Sequence, residues 1–137
     1  MNTTVVYFSR TGNTKRLAQA IADVAGAPLC DIVSTMTDSL AGFDLLILGT
    51  PVEGASPAKE TRAFIEAMPM VSGKKVILFC TYRLFGNIRT MKAMGKVLSA
   101  KGYETVLHLS KKGMKPPELA DFTEVLIEIK KTLENLK

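Results

Sequence analysis

Ser9-Arg10-Thr11-Gly12-Asn13-Thr14 is the most chemically dense stretch of the chain, with hydroxyls, an amide, a guanidinium and a glycine in adjoining positions. It follows the apolar run Val5-Val6-Tyr7-Phe8 and precedes a stretch with helical spacing. A buried strand therefore opens into a short polar loop that turns directly into a helix. Such a loop can aim backbone N–H groups and hydroxyls at one point, and the helix start adds unpaired N–H groups with partial positive charge. The chemistry is anion binding: a cradle for one terminal phosphate, neutralised by dipoles and hydroxyls more than by formal charge. The loop has neither the lysine of a nucleoside triphosphate loop nor a GxGxxG spacing, so those ligands fit poorly. Arg10 has two open roles, pointing at the phosphate or lying in solvent.

The elements that must position this loop alternate regularly. Val5 to Phe8 reads as a buried strand, and Thr14 to Ala25 carries Leu17, Ile21 and Val24 at helical spacing before Gly26-Ala27-Pro28 stops it. A short strand at Leu29 to Ile32 and a polar stretch from Ser34 to Ser39 come next. Leu45 to Gly49 is a second fully apolar run, ending in a loop from Thr50 to Pro57. Ala58 to Met68 is predicted helical with Phe64, Ile65 and Met68 inward. Lys75 to Cys80 is the next buried strand, and Asn87 to Lys101 places Ile88, Met91, Met94 and Leu98 on one face, with Gly102 as its stop. Tyr103 to Leu109 is the last strand. From Pro117 to Leu136, Phe122, Leu126, Ile129, Leu133 and Leu136 form an amphipathic stripe. These are five β–α units. Strands that are apolar throughout are buried on both faces, which means a parallel sheet with helices on both sides and right-handed crossovers.

Tyr7-Phe8 followed by Ser9 to Thr14 resembles the phosphate signature of the flavodoxins, small electron carriers that hold flavin mononucleotide (FMN). That family's pattern is roughly Ser/Thr-x-Thr-Gly-Asn-Thr after the first strand, and the match is unbroken. The resemblance implies a flavodoxin-like three-layer sandwich with a five-stranded parallel sheet in the order 2-1-3-4-5, and FMN at the switch between strands one and three. The last strand runs into its helix without a long insertion, which is similar to the short-chain form. The likeness extends over the whole chain, read as a single domain from 1 to 137.

The resemblance also implies a role for each loop. Ser9, Thr11, Asn13 and Thr14 would bind the phosphate through hydroxyl, amide and backbone donors, with Gly12 allowing close approach. Thr50, Pro51, Val52, Glu53 and Gly54 leave strand three and are similar to the loop that covers one face of the flavin ring. There Gly54 matches a glycine whose peptide can flip toward a one-electron-reduced flavin. Glu53 falls where the family often carries a tryptophan or methionine over the ring. Thr81, Tyr82, Arg83, Leu84, Phe85, Gly86 and Asn87 follow strand four, where an aromatic stacks on the other face; either Tyr82 or Phe85 could do so, or each could pack on the following helix.

Composition restricts the function further. Hydrophobic residues make up 47% of the chain, and the mean hydropathy is +0.16. No apolar run approaches the ~20 residues of a membrane span. The amino terminus has no signal-type pattern, so a cytoplasmic protein is expected. Cys30 and Cys80 lie outside any CxxC pair and are expected to be reduced and buried. His108 has no partner at metal-ligand spacing, and no metal site is expected.

The formal charge of +5 and pI near 9.3 depart from the acidic balance usual in flavodoxins. Aromatic content of 7% without tryptophan, and basic residues spread over helices and loops, argue against nucleic-acid binding. A cation ~10 Å from a reduced flavin would favour its last electron by roughly 1.7 kcal/mol, about 70 mV, at an effective dielectric of ~20. Arg83, with Arg10, Lys59 and Arg89, are the candidates, and partners with acidic docking surfaces are expected. No nucleophile with an activating partner stands out. The expected function is an FMN-binding, low-potential, monomeric carrier of electrons between redox proteins, more a carrier than an enzyme. The alternatives are a small FMN-dependent quinone or nitro reductase, or a flavin-free interaction module. A phospho-acceptor signalling domain fits poorly, because Phe8-Ser9 and Thr50-Pro51 stand where its acidic residues would be.

Overall fold

Alternate residues of each central strand belong to opposite cores. Val5, Leu45, Ile47, Ile77 and Phe79 enter one cluster, while Val6, Leu46, Leu48, Val76 and Leu78 enter the other. The side-chain period of two sends successive apolar residues to opposite faces, so a continuously apolar run can only be satisfied between two helical layers. The computed structural model, which describes residues 1–113 and 120–137, shows this arrangement.

Strands β1 (Thr3–Tyr7), β2 (Leu29–Asp31) and β3 (Leu45–Glu53) are followed by a two-residue β4 (Ser56–Pro57), then β5 (Lys74–Tyr82) and β6 (Tyr103–Lys112). The five long strands are parallel in the order β2-β1-β3-β5-β6, the expected 2-1-3-4-5, and β4 pairs antiparallel with β3. Helices α1 (Asn13–Ala25) and α4 (Thr123–Asn135) pack together on one face, and α2 (Lys59–Ala67) and α3 (Asn87–Ala100) on the other. Among the described residues no helix is long and apolar enough to cross a membrane.

The departures from expectation are local. Between β2 and β3 the chain makes two 3-10 turns, Ile32–Ser34 and Thr37–Gly42, where a fifth β–α unit would need an α-helix. Short polar side chains compete for the backbone there: Asp31 Oδ1 accepts the Val33 N–H at 2.9 Å, and Thr35 Oγ1 donates to the Asp31 carbonyl at 2.7 Å. β3 continues past Gly49 to Glu53 and folds back as a hairpin onto β4. Gly54 and Ala55, both at φ 60°, make the two-residue turn that strand twist favours. Ile88 is 60% exposed, off the buried face formed by Met91, Met94 and Leu98. β6 runs to Lys112, beyond the expected end at Leu109.

α4 begins at Thr123, whose N–H and hydroxyl both donate to Asp121 Oδ1; Pro117, the expected start, lies outside the described residues. Cys30 is only half-buried on β2, whereas burial pushes the Cys80 thiol up to about 12 and keeps it protonated.

Candidate functional site

The loop between β1 and α1 is organised by Gly12 and Ser9. Gly12 caps α1 at φ 99°, a conformation that a side chain would strain. Ser9 Oγ accepts the N–H groups of Gly12 at 3.1 Å and Lys15 at 3.2 Å, which ties the loop to the first helical turn. The N–H groups of Thr11, Asn13 and Thr14 have no acceptor among the described residues. They are the donors an anion would take.

The side chains of the loop are mostly committed elsewhere. The Thr14 hydroxyl is buried 2.6 Å from Thr81 Oγ1, so it joins the helix start to the end of β5 and leaves only its N–H for a ligand. Arg10 is exposed to solvent, as one of its two expected roles had it, but its side chain is also engaged within the protein. Its guanidinium lies over the Phe8 ring, 5.0 Å from the centroid, and forks onto two carboxylates. Nε and Nη2 donate to Glu53 at 2.5 and 2.9 Å, and Nη2 also donates to Glu60 at 2.8 Å. The hydrogen bonds to Glu53, then those to Glu60, hold Arg10 charged far above any accessible pH. Partial desolvation works against ionisation of Glu60, but its own N–H and Arg10 outweigh it and keep that carboxyl below its usual range.

The second and third loops interlock. Thr50 Oγ1, fully buried, pairs with Thr61 Oγ1 at 2.9 Å and accepts the Ala58 N–H at 3.2 Å, fixing the base of the hairpin to α2. Gly86 caps α3 at φ 95°, and a Cβ there would lie 2.6 Å from Ala55 Cα. Asn87 Nδ2 donates to Ser110 Oγ at 2.8 Å, so α3 is held to β6. Gly54 stands exposed at the hairpin tip.

A cavity of about 230 Å³ opens where these loops meet. Arg10, Thr11 and Asn13 line it from the first loop, Pro51, Val52 and Glu53 from the hairpin, and Thr81, Tyr82 and Arg83 from the end of β5. A second cavity of about 340 Å³ adjoins it at Arg83, with Leu84 and Lys112 on its wall. Tyr82 lines the first cavity, whereas Phe85, at 70% exposure, lines neither. Lys59 and Arg89 line neither, and the Arg10 charge is already balanced, so among the described residues Arg83 and Lys112 are the rim cations without an ion-pair partner.

Spacing along the chain points to neither Gly113 nor Arg16, yet both belong here. Gly113 lines both cavities, is held by its N–H to the Tyr82 carbonyl at 2.8 Å, and lies so close to Asn13 that a Cβ would sit 2.5 Å from Nδ2. Its signal was position, because it follows a strand that ends on the same edge of the sheet as the phosphate loop. Arg16 donates to Asn13 Oδ1 and has a buried Nε with no partner among the described residues.

Unpaired amides, a glycine held at positive φ, and a trough flanked by Tyr82 and the Pro51-Val52 edge suit a phosphate-terminated ligand with a planar head. The architecture is that of the doubly wound α/β proteins that take such a ligand where the strand order reverses, here between β1 and β3. The chain belongs to the flavodoxin domain family, whose sequence model matches residues 4–126. A flavodoxin from Megasphaera elsdenii is 34% identical over a stretch covering 57% of this chain and 63% of its own. One from Clostridium beijerinckii is 37% identical over 57% and 62%. The match therefore spans less than two thirds of either relative's length. In fold, oxidised Flavodoxin 1 from Bacillus cereus superposes with a TM-score of 0.80 over 100% of both chains at 22% identity.

Proposed function

We propose that this protein is a monomeric, cytoplasmic, single-domain electron carrier that holds FMN at the edge where β1, β3 and β5 end. The observation that carries the reading is the group of unpaired amides at Thr11, Asn13 and Thr14 around left-handed Gly12. When bound, FMN supplies the one-electron redox chemistry; the chain supplies position and field. The three amides would hold its phosphate. Pro51 and Val52 on the hairpin side, Tyr82 at the end of β5 and Gly113 after β6 line the trough and would hold the ring. The test is a titration of apoprotein with FMN and with riboflavin. FMN is expected to bind one to one, and riboflavin, which lacks the phosphate, at least about a hundredfold more weakly. A protein purified without flavin absorbance that also takes up no added FMN overturns the reading.

Its partners are redox proteins with acidic docking surfaces. Leu84, Phe85 and Ile88 stand exposed beside the basic rim of Arg83 and Lys112, an apolar centre with positive edges that complements an acidic patch. The expected easing of the last electron's entry rests on Arg83, since Arg10 is neutralised by Glu53 and Glu60. Arg83→Glu is expected to lower that potential and to cut the low-salt rate of electron transfer to an acidic ferredoxin about tenfold, with the loss fading as salt rises. Redox titration and stopped-flow measurements check both; two unchanged values would remove Arg83 from the account.

A further inference from the structure

Arg10 lies in the loop that presents amides to an anion, yet its Nε and Nη2 donate to carboxylates of β3 and α2. Among the described residues no other cation is paired with Glu53 or Glu60, and Lys59 acts on Glu60 only through space. The three side chains keep 46%, 35% and 31% of their exposure, so as a stability device the clasp is weak. Its place is more telling than its strength. Glu53 shares the wall of the 230 Å³ cavity with Thr11 and Asn13, and Glu60 hangs on the same guanidinium. Unpaired, both would set negative charge beside a cradle built for a phosphate. The Phe8 ring lies beneath the Arg10 guanidinium, whose planar fork reaches both acids.

We propose that Arg10 is the counter-charge of the ligand site: by pairing with Glu53 and Glu60 it offsets one of their two negative charges and so permits the first loop to accept the FMN phosphate, without contacting the phosphate itself. The inference rests on the FMN reading above. It differs from an ordinary structural role in one respect, because removing all three charges together must restore what removing one destroys.

The experiment is titration of apoprotein with FMN at low salt and at about 0.5 M salt, where screening acts within a few ångströms. Arg10→Gln is expected to bind about tenfold more weakly at low salt and to recover most of that loss at high salt. The triple variant Arg10→Gln, Glu53→Gln, Glu60→Gln is expected to return to within about threefold of the parent, and Arg10→Lys, which keeps the charge but not the fork, to bind more tightly than Arg10→Gln. Melting midpoints within a few degrees of the parent are expected for all of them. Parent-like binding by Arg10→Gln, or a triple variant as weak as the single one, overturns the inference while leaving the functional reading intact. A parent protein that takes up no FMN overturns both.

Discussion

Gly86→Ala is expected to weaken FMN binding by about thirtyfold or more while the far-ultraviolet circular dichroism of the apoprotein stays unchanged. Gly86 sits at φ 95°, where a side chain costs about 1–2 kcal/mol. The added methyl would also lie 2.6 Å from Ala55 Cα and 3.2 Å from Val52 Cγ1. The backbone contact cannot be relieved by a rotamer change, so the hairpin tip must move away from the loop after β5. Both loops line the ligand trough through Val52 and Tyr82. Closing it again around the ligand would cost about 2 kcal/mol, and each 1.4 kcal/mol is tenfold in affinity. Ala55→Gly in the same chain removes the 3.0 Å contact of the Ala55 Cβ but leaves that of its Cα, so recovery should be partial. Isothermal titration of the single and double variants decides the matter, and undiminished affinity in Gly86→Ala would show that the two loops are not coupled through this contact.

The larger effect on stability is expected one strand inward. A methyl on Gly49 would lie 2.1 Å from Cε2 and Cζ of Phe79, whose ring is fully buried and has nowhere to turn. Overpacking of this kind costs about 3 kcal/mol, which for a chain of this size lowers the melting midpoint by about 10 °C. Phe79→Leu combined with Gly49→Ala should regain part of the loss, since a smaller side chain vacates the overlap. The same change should disturb the site, because the Gly49 carbonyl accepts the Phe8 N–H at 3.1 Å just before the phosphate loop. A melting midpoint within about 2 °C of the parent would mean that the strand yields more easily than close packing allows.

Much of this architecture can be read from local pattern. Apolar runs such as Leu45 to Leu48 announce burial on two faces, and the polar loop between Phe8 and the α1 pattern announces an anion cradle. The helix faces follow from spacing, except that Ile88 lies outside the buried arc of α3. These features depend on neighbours a few residues apart, which is the range over which hydrophobic periodicity and capping act.

The working arrangement of the site depends on neighbours that no spacing encodes. Arg10 meets Glu53 and Glu60 across 43 and 50 positions, and Thr14 meets Thr81 across 67. Gly113 reaches Asn13, and Gly86 reaches Ala55, only because parallel strands deliver all their carboxyl ends to one edge. The chain alone therefore determined the layers and the place of the polar loop between β1 and α1, since burial is a property of each residue and its near neighbours. Tertiary structure alone decided which charges cancel and which hydroxyls are spent, since polar partners are selected by which loops the topology brings within hydrogen-bonding distance.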